Sequence, residues 1–359
     1  MFTAKNSAVI AMILGVVLLS GCLDDRVDDD VDDNYIGSIT IDSADTYPIG
    51  LTRDMTNNLI STAVGKERKG DIWSAPYGSG EMDRKTIVDY PTSDRYPLSG
   101  SYFDDSGNYL YACSNPRLST VAPSIVIFHR EDSGSYKWIN STNFDDKAKH
   151  CHSVTRIQNY VFATNSVSGD SDPNLSTAVY YADTADLTSI APMKGLITYR
   201  EFGYTPEQLT GENLITDIKA EKHQIAGKPS FYTVDSRNSL IFKVLVTGSS
   251  TKVVNPISMN LPNGIPTAIA QYSDRIFIIS QSDHNKNSKG TIYKVKFDDN
   301  SPPKTTVIAT TPSKVQSLVI GSDYFGKTRN PVVFALNKEV NESGVFHIDE
   351  FTFEEKNPA

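Results

Sequence analysis

The tetrapeptide GDIW at residues 70–73 is one copy of a pattern that recurs along the chain. The pattern is a small or apolar residue, any residue, a β-former and usually an aromatic residue. Its other copies are IVIF (125–128), TAVY (177–180), SLIF (239–242), GTIY (290–293) and GVFH (344–347). The third positions are separated by 55, 52, 62, 51 and 54 residues. Because a near-constant period of this length is typical of repeat architectures, we interpret the chain as six equivalent units.

Each unit contains the same succession of short segments. An apolar strand comes first, as in YPIGLTR (47–53), and a second follows after a polar turn, as in YLYACSN (109–115). The recurrent tetrapeptide opens the third strand, and a fourth follows in segments such as KTIVDY (85–90) and KTTVIAT (304–310). Four short strands per unit of about 50 residues predict an all-β fold, a six-bladed β-propeller of four-stranded antiparallel blades. Two stacked β-sandwiches are the alternative, but they would not need six equal units.

The last unit lacks a convincing fourth strand of its own. The stretch GSITIDS (37–43), which precedes the first unit, has the composition of a strand. A strand from one terminus that completes the last blade leaves no sheet edge exposed. We therefore predict that an N-terminal strand closes the ring and that the propeller spans residues 35–355.

The order of the strands, together with the absence of Trp-Asp and kelch signatures, resembles six-bladed propellers of the NHL, TolB-like and gluconolactonase-like group. Gluconolactonase-like enzymes bind a divalent metal in the central funnel through one Glu, two Asn and one Asp. Asn115, Asn165 and Asp235 match part of that set, and Asn263 resembles a ligand-bearing turn residue. The expected glutamate is missing at the start of the first blade, where the sequence reads YPIG (47–50).

The resemblance also implies that ligands lie at the funnel face, where first strands begin and second strands end. Polar and aromatic residues occupy these positions in every unit. The candidate binding residues are Tyr47, Tyr96, Asn115, His150, His152, Asn165, Asp217, Asp235, Gln281 and Asn337. Asn and Asp also cap strands and enter turns, which is an alternative role for several of them.

Two further sequence features bear on this face. The segment 196–213 is an insertion between the third and fourth units. Within it, Thr205-Pro206-Glu207-Gln208 predicts a short helix, and Tyr199, Phe202 and Tyr204 are either packed beneath that helix or displayed for binding. Cys113 and Cys151 lie near the funnel face of neighbouring blades, and an exported chain favours a disulfide between them. Two buried thiols, or a zinc site with His150 or His152, are the alternatives.

The N-terminal segment predicts export and lipid attachment. Residues 8–19 form an apolar run that is too short to span a bilayer and fits a secretory signal peptide. Leu19-Ser20-Gly21-Cys22 resembles the bacterial lipobox, so residues 1–21 are predicted to be removed and Cys22 to carry the acyl chains. Leu23, in place of Asp, directs sorting to the outer membrane if the enterobacterial rule applies.

Residues 22–34 are predicted to form an acidic flexible tether. Seven Asp and one Arg between positions 23 and 33 carry a charge of −6, with no aromatic residue and no core pattern. Removing Lys5 and this stretch from the whole-chain charge of −9 leaves −4 on the rest of the chain. A mildly acidic propeller without a basic patch argues against a nucleic-acid partner.

Together these features favour a membrane-anchored envelope lipoprotein whose propeller is a non-enzymatic binding platform for a protein or a glycan. The sequence contains no nucleophile elbow, phosphate loop or His-Glu-x-x-His segment, and no cofactor is predicted. A metal-dependent hydrolase of the lactonase type, with a divalent metal in the funnel, is one alternative. An accessory scaffold for envelope assembly is another.

Replacing Cys22 with Ser should abolish acylation, because the hydroxyl cannot replace the thiol that receives the lipid. The precursor should also remain uncleaved. Metabolic labelling with a fatty-acid analogue measures this, and equal labelling of wild type and Cys22→Ser would refute the lipid anchor.

Overall fold

A computed structural model describes residues 34–353 of the chain with short gaps. The gaps lie at 43–44, 92–94, 117–120, 146, 169, 210–213, 222–223, 225–227, 248–249, 254–256, 260, 262–263, 274, 283–288, 299–300, 323, 325, 328–329 and 340–344. Cys22, the predicted signal peptide and nearly all of the predicted tether, together with Asn263, lie outside the described residues. In the described part of the chain, no helix is long and apolar enough to cross a membrane.

The chain forms six small sheets, one per repeat. Strand β1 (Tyr35–Ile41) precedes the first blade. Blade 1 contains β2 (Tyr47–Arg53), β3 (Leu59–Val64), β4 (Gly70–Ala75) and β5 (Asp83–Lys85). After the short β6 (Ile87–Val88), blade 2 contains β7 (Leu98–Phe103), β8 (Tyr109–Ser114), β9 (Ser124–Arg130) and β10 (Tyr136–Asn143). Blade 3 contains β11 (Cys151–Ile157), β12 (Tyr160–Asn165), β13 (Thr177–Asp183) and β14 (Lys194–Thr198).

The second half of the chain repeats this plan. Blade 4 contains β15 (Ile215–Ala220), β16 (Ser230–Asp235), β17 (Leu240–Thr247) and β18 (Ser250–Val253), and the short β19 (Ile257–Ser258) also pairs with β17. Blade 5 contains β20 (Ile265–Ser273), β21 (Ile276–Ser282), β22 (Gly290–Asp298) and β23 (Ser301–Thr311). Blade 6 contains β24 (Val315–Ser322), β25 (Pro331–Asn337) and β26 (Phe346–Thr352), with β1 as its fourth strand. The predicted six-bladed propeller is therefore confirmed.

The recurrent pattern marks the third strand of every blade. Its third positions are all buried, namely Ile72, Ile127, Val179, Ile241, Ile292 and Phe346. Successive residues of a strand point to opposite faces, and here each face packs against a different neighbouring blade. Ile125 and Ile127 belong to the core cluster between blades 2 and 3, whereas Val126 and Phe128 belong to the one between blades 1 and 2. Six such clusters, one between each pair of neighbouring blades, form the core.

One strand prediction was partly wrong. The segment KTIVDY was assigned to the fourth strand of blade 1, but that strand is Asp83–Lys85, and Ile87–Val88 pairs in parallel with β10 of blade 2. The chain crosses between blades here because Tyr90 is buried in the core cluster between blades 1 and 2, and Ile87 packs against the same cluster. Blades 2 and 4 thus carry a short fifth strand in addition to the four predicted.

The insertion after blade 3 contributes to the core. Two 3-10 helices, Tyr199–Phe202 and Pro206–Leu209, occupy it, and the second confirms the predicted helix start at Thr205-Pro206. Tyr199, Phe202 and Tyr204 are buried in the cluster between blades 3 and 4. Of the two roles that the sequence left open for these aromatic residues, the structure shows packing.

The N-terminal strand closes the ring as predicted. Strand β1 pairs antiparallel with β26, from Tyr35 opposite Phe351 to Ile41 opposite Phe346. Ile39 and Ile41 are fully buried against residues of blades 1 and 6. The backbone of Thr40 also exchanges hydrogen bonds with Gly80 and Met82 of blade 1, both at 2.9 Å.

Deleting residues 35–41 should therefore destabilise the whole ring. Three isoleucines leave the core with this strand, and each buried isoleucine contributes about 1.5–3 kcal/mol, against a usual total stability of about 5–15 kcal/mol. We expect a large fall in Tm or loss of folding, measured by circular dichroism. Deleting the seven residues 26–32, which precede the propeller, is the matched control, and an equal Tm for both deletions would contradict this closure.

Candidate functional site

The innermost strands of the six blades share a backbone irregularity near their first residues. In each, the pairing register with the second strand shifts at an equivalent position. The shifts lie between Pro48 and Gly50, Leu98 and Ser101, Cys151 and Val154, Ile215 and Asp217, Pro266 and Ala268, and Val315 and Ser317. Bulges re-aim side chains and are common at barrel rims and beside active sites. The six irregularities form a ring around the mouth of the central channel.

This ring surrounds a cavity of about 220 Å³, which we call the funnel cavity. Its lining is rich in hydroxyl groups, such as those of Ser101 and Thr267, and includes the amide of Gln316. Gly100 of blade 2 leaves no room for a side chain. A β-carbon there would lie 2.1 Å from the backbone carbonyl oxygen of His152 in blade 3. Glycine there lets the innermost strands of blades 2 and 3 come together.

Of the ten predicted binding residues, His152 and Asp217 line the funnel cavity. Asp217 is buried, and its carboxylate accepts hydrogen bonds from Ser153 Oγ at 2.5 Å and from the backbone NH of Ile269 at 3.0 Å. Lys219 Nζ lies 3.5 Å from the same carboxylate. Asp217 therefore joins blades 3, 4 and 5, and its charge is balanced locally.

His152 lines the cavity, and one of its ring nitrogens is buried. Its Nδ1 is buried and makes no hydrogen bond with any described group. Burial lowers the pKa of His152, and the Asp217 carboxylate opposes this shift. The ring is consequently neutral near neutral pH. Ser101 Oγ, a further buried polar atom of the cavity lining, also makes no hydrogen bond with a described group. Buried polar atoms are normally bonded, so the two residues with unbonded atoms at this cavity are candidates for contact with a ligand or water.

His150 belongs to the layer outside the cavity. Its Nδ1 lies 2.9 Å from Ser166 Oγ, and its ring centroid lies 5.9 Å from that of His152. Burial is the main cause that lowers the pKa of His150 to about 4, and His152 adds to the shift.

The polar residues at the ends of the second strands serve mainly as structural links. Asn115 Oδ1 accepts the backbone NH of Cys151 at 2.9 Å, and its Nδ2 donates to the carbonyl of the same residue at 2.8 Å. Asn165 is buried and accepts the backbone NH groups of Lys149 and His150, both at 3.2 Å. These amides hold the start of the next innermost strand or the loop before it.

The remaining strand-end residues are also buried. Asp235 accepts the Tyr204 hydroxyl at 2.7 Å and the backbone NH of Asn238 at 2.9 Å. Burial raises the pKa of Asp235, and these hydrogen bonds oppose the rise. Asn337 donates to Asp349 at 2.6 Å, and Gln281 is 4% exposed. The role of strand cap, which the sequence left open, describes Asn115, Asn165 and Asp235.

Of the two predicted tyrosines, Tyr47 lies beside the cavity-lining residue Gln316, whereas Tyr96 lies apart. Tyr47, which is 36% exposed, packs edge-on against Phe346 with ring centroids 5.3 Å apart. Tyr96 lines a different cavity of about 160 Å³ with Trp138 and Tyr90, on the side of blade 2. The structure therefore does not bring Tyr96 to the funnel cavity.

The predicted disulfide between Cys113 and Cys151 is present, with Cα atoms 5.4 Å apart. It ties the second strand of blade 2 to the innermost strand of blade 3, one residue before His152. Because both sulfurs are bonded, neither free thiols nor a zinc site with His150 or His152 describes this pair.

A divalent metal does not fit the residues that the resemblance offers. The oxygens of Asn115, Asn165 and Asp235 are already occupied by backbone NH groups or by Tyr204. Among the described residues, no three His, Cys, Asp or Glu side chains come together as a metal-binding group.

Several cavity residues were not predicted from the sequence. Lys219, Lys314 and Lys338 line the funnel cavity, and Lys338 directly follows the predicted Asn337. A second cavity of about 990 Å³ lies at the opposite mouth, among the last residues of the innermost strands, and it shares Ser101 and Lys219 with the first. Its arginines are engaged locally, since Arg53 binds Asn57 at 2.8 Å and Arg156 lies 3.6 Å from Asp104.

No protein-family model and no curated protein sequence matches the chain. Solved structures match over most of its length. The PQQ-bound aldose sugar dehydrogenase of Streptomyces coelicolor is 9% identical over 90% of this chain and 97% of its own, with a TM-score of 0.52. A 6-phosphogluconolactonase-like protein of Bacteroides uniformis is 11% identical over 84% and 85%, with a TM-score of 0.48. A gluconolactonase-like protein is 12% identical over 90% and 97%, with a TM-score of 0.46. The likeness to the sugar dehydrogenase agrees with the propeller architecture that the resemblance predicted, and it shows the fold alone.

The buried histidine should make stability depend on pH. An unfolded histidine titrates near 6.5, whereas His150 in the folded protein titrates near 4. Between these values the unfolded chain binds a proton that the folded protein does not, so stability falls as pH falls from 6.5 to 4. In thermal melts at pH 4 to 8, His150→Gln should flatten this decline.

Ser166→Ala is the control for that experiment, since it removes the hydrogen bond to His150 but keeps the ring buried. It should retain the decline because burial is the main cause of the pKa shift. An identical pH dependence for wild type and His150→Gln would contradict the burial of a neutral ring.

Proposed function

We propose that this chain is a non-enzymatic, lipid-anchored binding protein of the bacterial cell envelope that holds one sugar unit of a glycan in its funnel cavity. The anchor is the lipobox cysteine Cys22, followed by the acidic stretch as a spacer. A residue that carries two or three acyl chains binds a membrane stably, whereas one chain is marginal. Leu23 after the cysteine supports the outer membrane as the destination.

The cavity is the observation that carries the proposal. Pockets for drug-sized ligands span roughly 300–1,000 Å³, so a volume of about 220 Å³ suits a smaller group such as one sugar ring. Ser101 and His152 line it, and each carries a polar atom without a hydrogen-bond partner among the described residues, which suits a ligand with many hydroxyl groups. These features favour a glycan over a protein partner, which would use a broad surface with apolar anchors.

One observation favours a hydrolase as the second candidate. His152 is a neutral imidazole at the cavity, and such a ring could act as a general base toward water. The metal-dependent form of the lactonase hypothesis lacks support, because the matching side chains already serve as structural links. Turnover of a sugar lactone by wild type, lost in His152→Ala, would establish the hydrolase in place of the binding protein.

Filling the cavity should abolish glycan binding. Ile49 lies at the irregularity of the first innermost strand and lines the cavity, so Ile49→Trp should occupy the space that a sugar ring needs. Full-length protein in mild detergent would be applied to an array of neutral and acidic glycans. Val307→Trp is the control, because Val307 is 55% exposed on the outermost strand of blade 5 and should leave binding intact.

A second, smaller substitution tests the same site in case Ile49→Trp does not fold. Ser101 Oγ makes no hydrogen bond with any part of the chain that the structure describes, so Ser101→Ala should keep the Tm while weakening glycan binding by about two- to tenfold. Undiminished binding by Ile49→Trp, or no binding by wild type across the whole array, would overturn the proposal. A protein partner captured by the funnel face in its place would establish the protein-binding alternative.

A further inference from the structure

The funnel cavity has a charge that contrasts with the rest of the chain. Lys219, Lys314 and Lys338 line it, and Asp217 is the acidic residue among its described lining residues. With His152 neutral, three positive charges and one negative charge leave +2, whereas the whole chain carries −9. The positive charge is therefore local to the cavity.

The acid in the lining does not cancel this charge. Asp217 binds Ser153 and the backbone of Ile269, and Lys219 lies 3.5 Å away as its local counter-ion. Lys314 and Lys338 remain, and neither forms a salt bridge with a described residue. Glu339 follows Lys338 in the chain, but it is not part of the cavity lining.

Lys314 and Lys338 are held next to each other by the fold. The backbone NH of Lys338 donates to the carbonyl oxygen of Lys314 at 2.7 Å, which fixes the two residues side by side at the rim of blade 6. Val315 begins the innermost strand directly after Lys314, and Asn337 ends the second strand directly before Lys338. Two ammonium groups on neighbouring strand ends, with no salt bridge to a described residue, make a suitable contact for an anion.

We infer that the ligand is an acidic saccharide, whose carboxylate or phosphate lies against Lys314 and Lys338 while its ring faces Ser101 and His152. This inference rests on the proposed function and adds the charge of the ligand to it. Both anionic groups share the chemistry that the lysines recognise, and the probes below distinguish them. Binding should weaken as salt rises, because Lys338 is exposed and Lys314 is partly exposed to solvent.

The test compares three small sugars by calorimetry with the full-length protein. Methyl glucuronide carries a carboxylate, glucose 6-phosphate carries a phosphate, and methyl glucoside is neutral. At least one anionic sugar should bind about tenfold or more tightly than methyl glucoside at low salt. The double variant Lys314→Gln/Lys338→Gln should reduce its affinity to that of the neutral sugar. Lys304→Gln, a solvent-exposed lysine of the outermost strand of blade 5, is the matched control and should change nothing.

The outcomes separate the two proposals. Equal affinity for methyl glucoside and both anionic sugars, or unchanged affinity in the double variant, would overturn the acidic ligand while leaving the glycan site. Inorganic phosphate that binds as tightly as the better anionic sugar would overturn the saccharide part. Failure of all three sugars, together with a blank glycan array, would overturn the proposed function as well.

Discussion

The pairing of β1 with β26 is the constraint on which the remaining structure depends. Every blade buries both of its faces against neighbours, so the ring is stable only when the sixth blade also meets the first. The N-terminal strand supplies that contact through Ile39 and Ile41, and it adds a short bridge to blade 1 through Thr40. Closure in turn brings six innermost strands around one axis, and only in that arrangement do their equivalent irregularities form a common rim.

Once the ring is closed, the polar groups around the channel divide into two classes. Most link neighbouring blades: Thr62 Oγ1 donates to the carbonyl of Ser99 at 2.5 Å, Asn115 holds Cys151, and Asp217 receives groups from blades 3 and 5. Buried polar groups are costly unless they are bonded, so these links are part of the scaffold. The second class, which includes Ser101 Oγ and His152 Nδ1, has no such task. The linking groups are already used by the scaffold, so the proposed ligand is expected to contact the residues that carry the unbonded groups.

The sequence predicted the fold because a propeller repeats one local pattern six times, with buried third positions such as Ile72 and Ile241. It located the funnel face from the strand ends but could not tell Asn165, a buried cap, from His152, a cavity residue, since both are polar and both stand at strand ends. That difference depends on the bulged register of the innermost strands, which no residue type specifies. Lys338 was missed because it lies one residue beyond the predicted strand end, where a solvated lysine is usual.

A crystal structure of the protein grown with methyl glucuronide tests the central claim, that the funnel cavity is an acidic-sugar site, most directly. The sugar should lie in that cavity, with its carboxylate against Lys314 and Lys338 and its ring hydroxyls near Ser101 and His152. A sugar bound instead in the larger cavity at the opposite mouth, or beside Tyr96 and Trp138, would contradict the claim, as would a funnel cavity left empty at a saturating concentration.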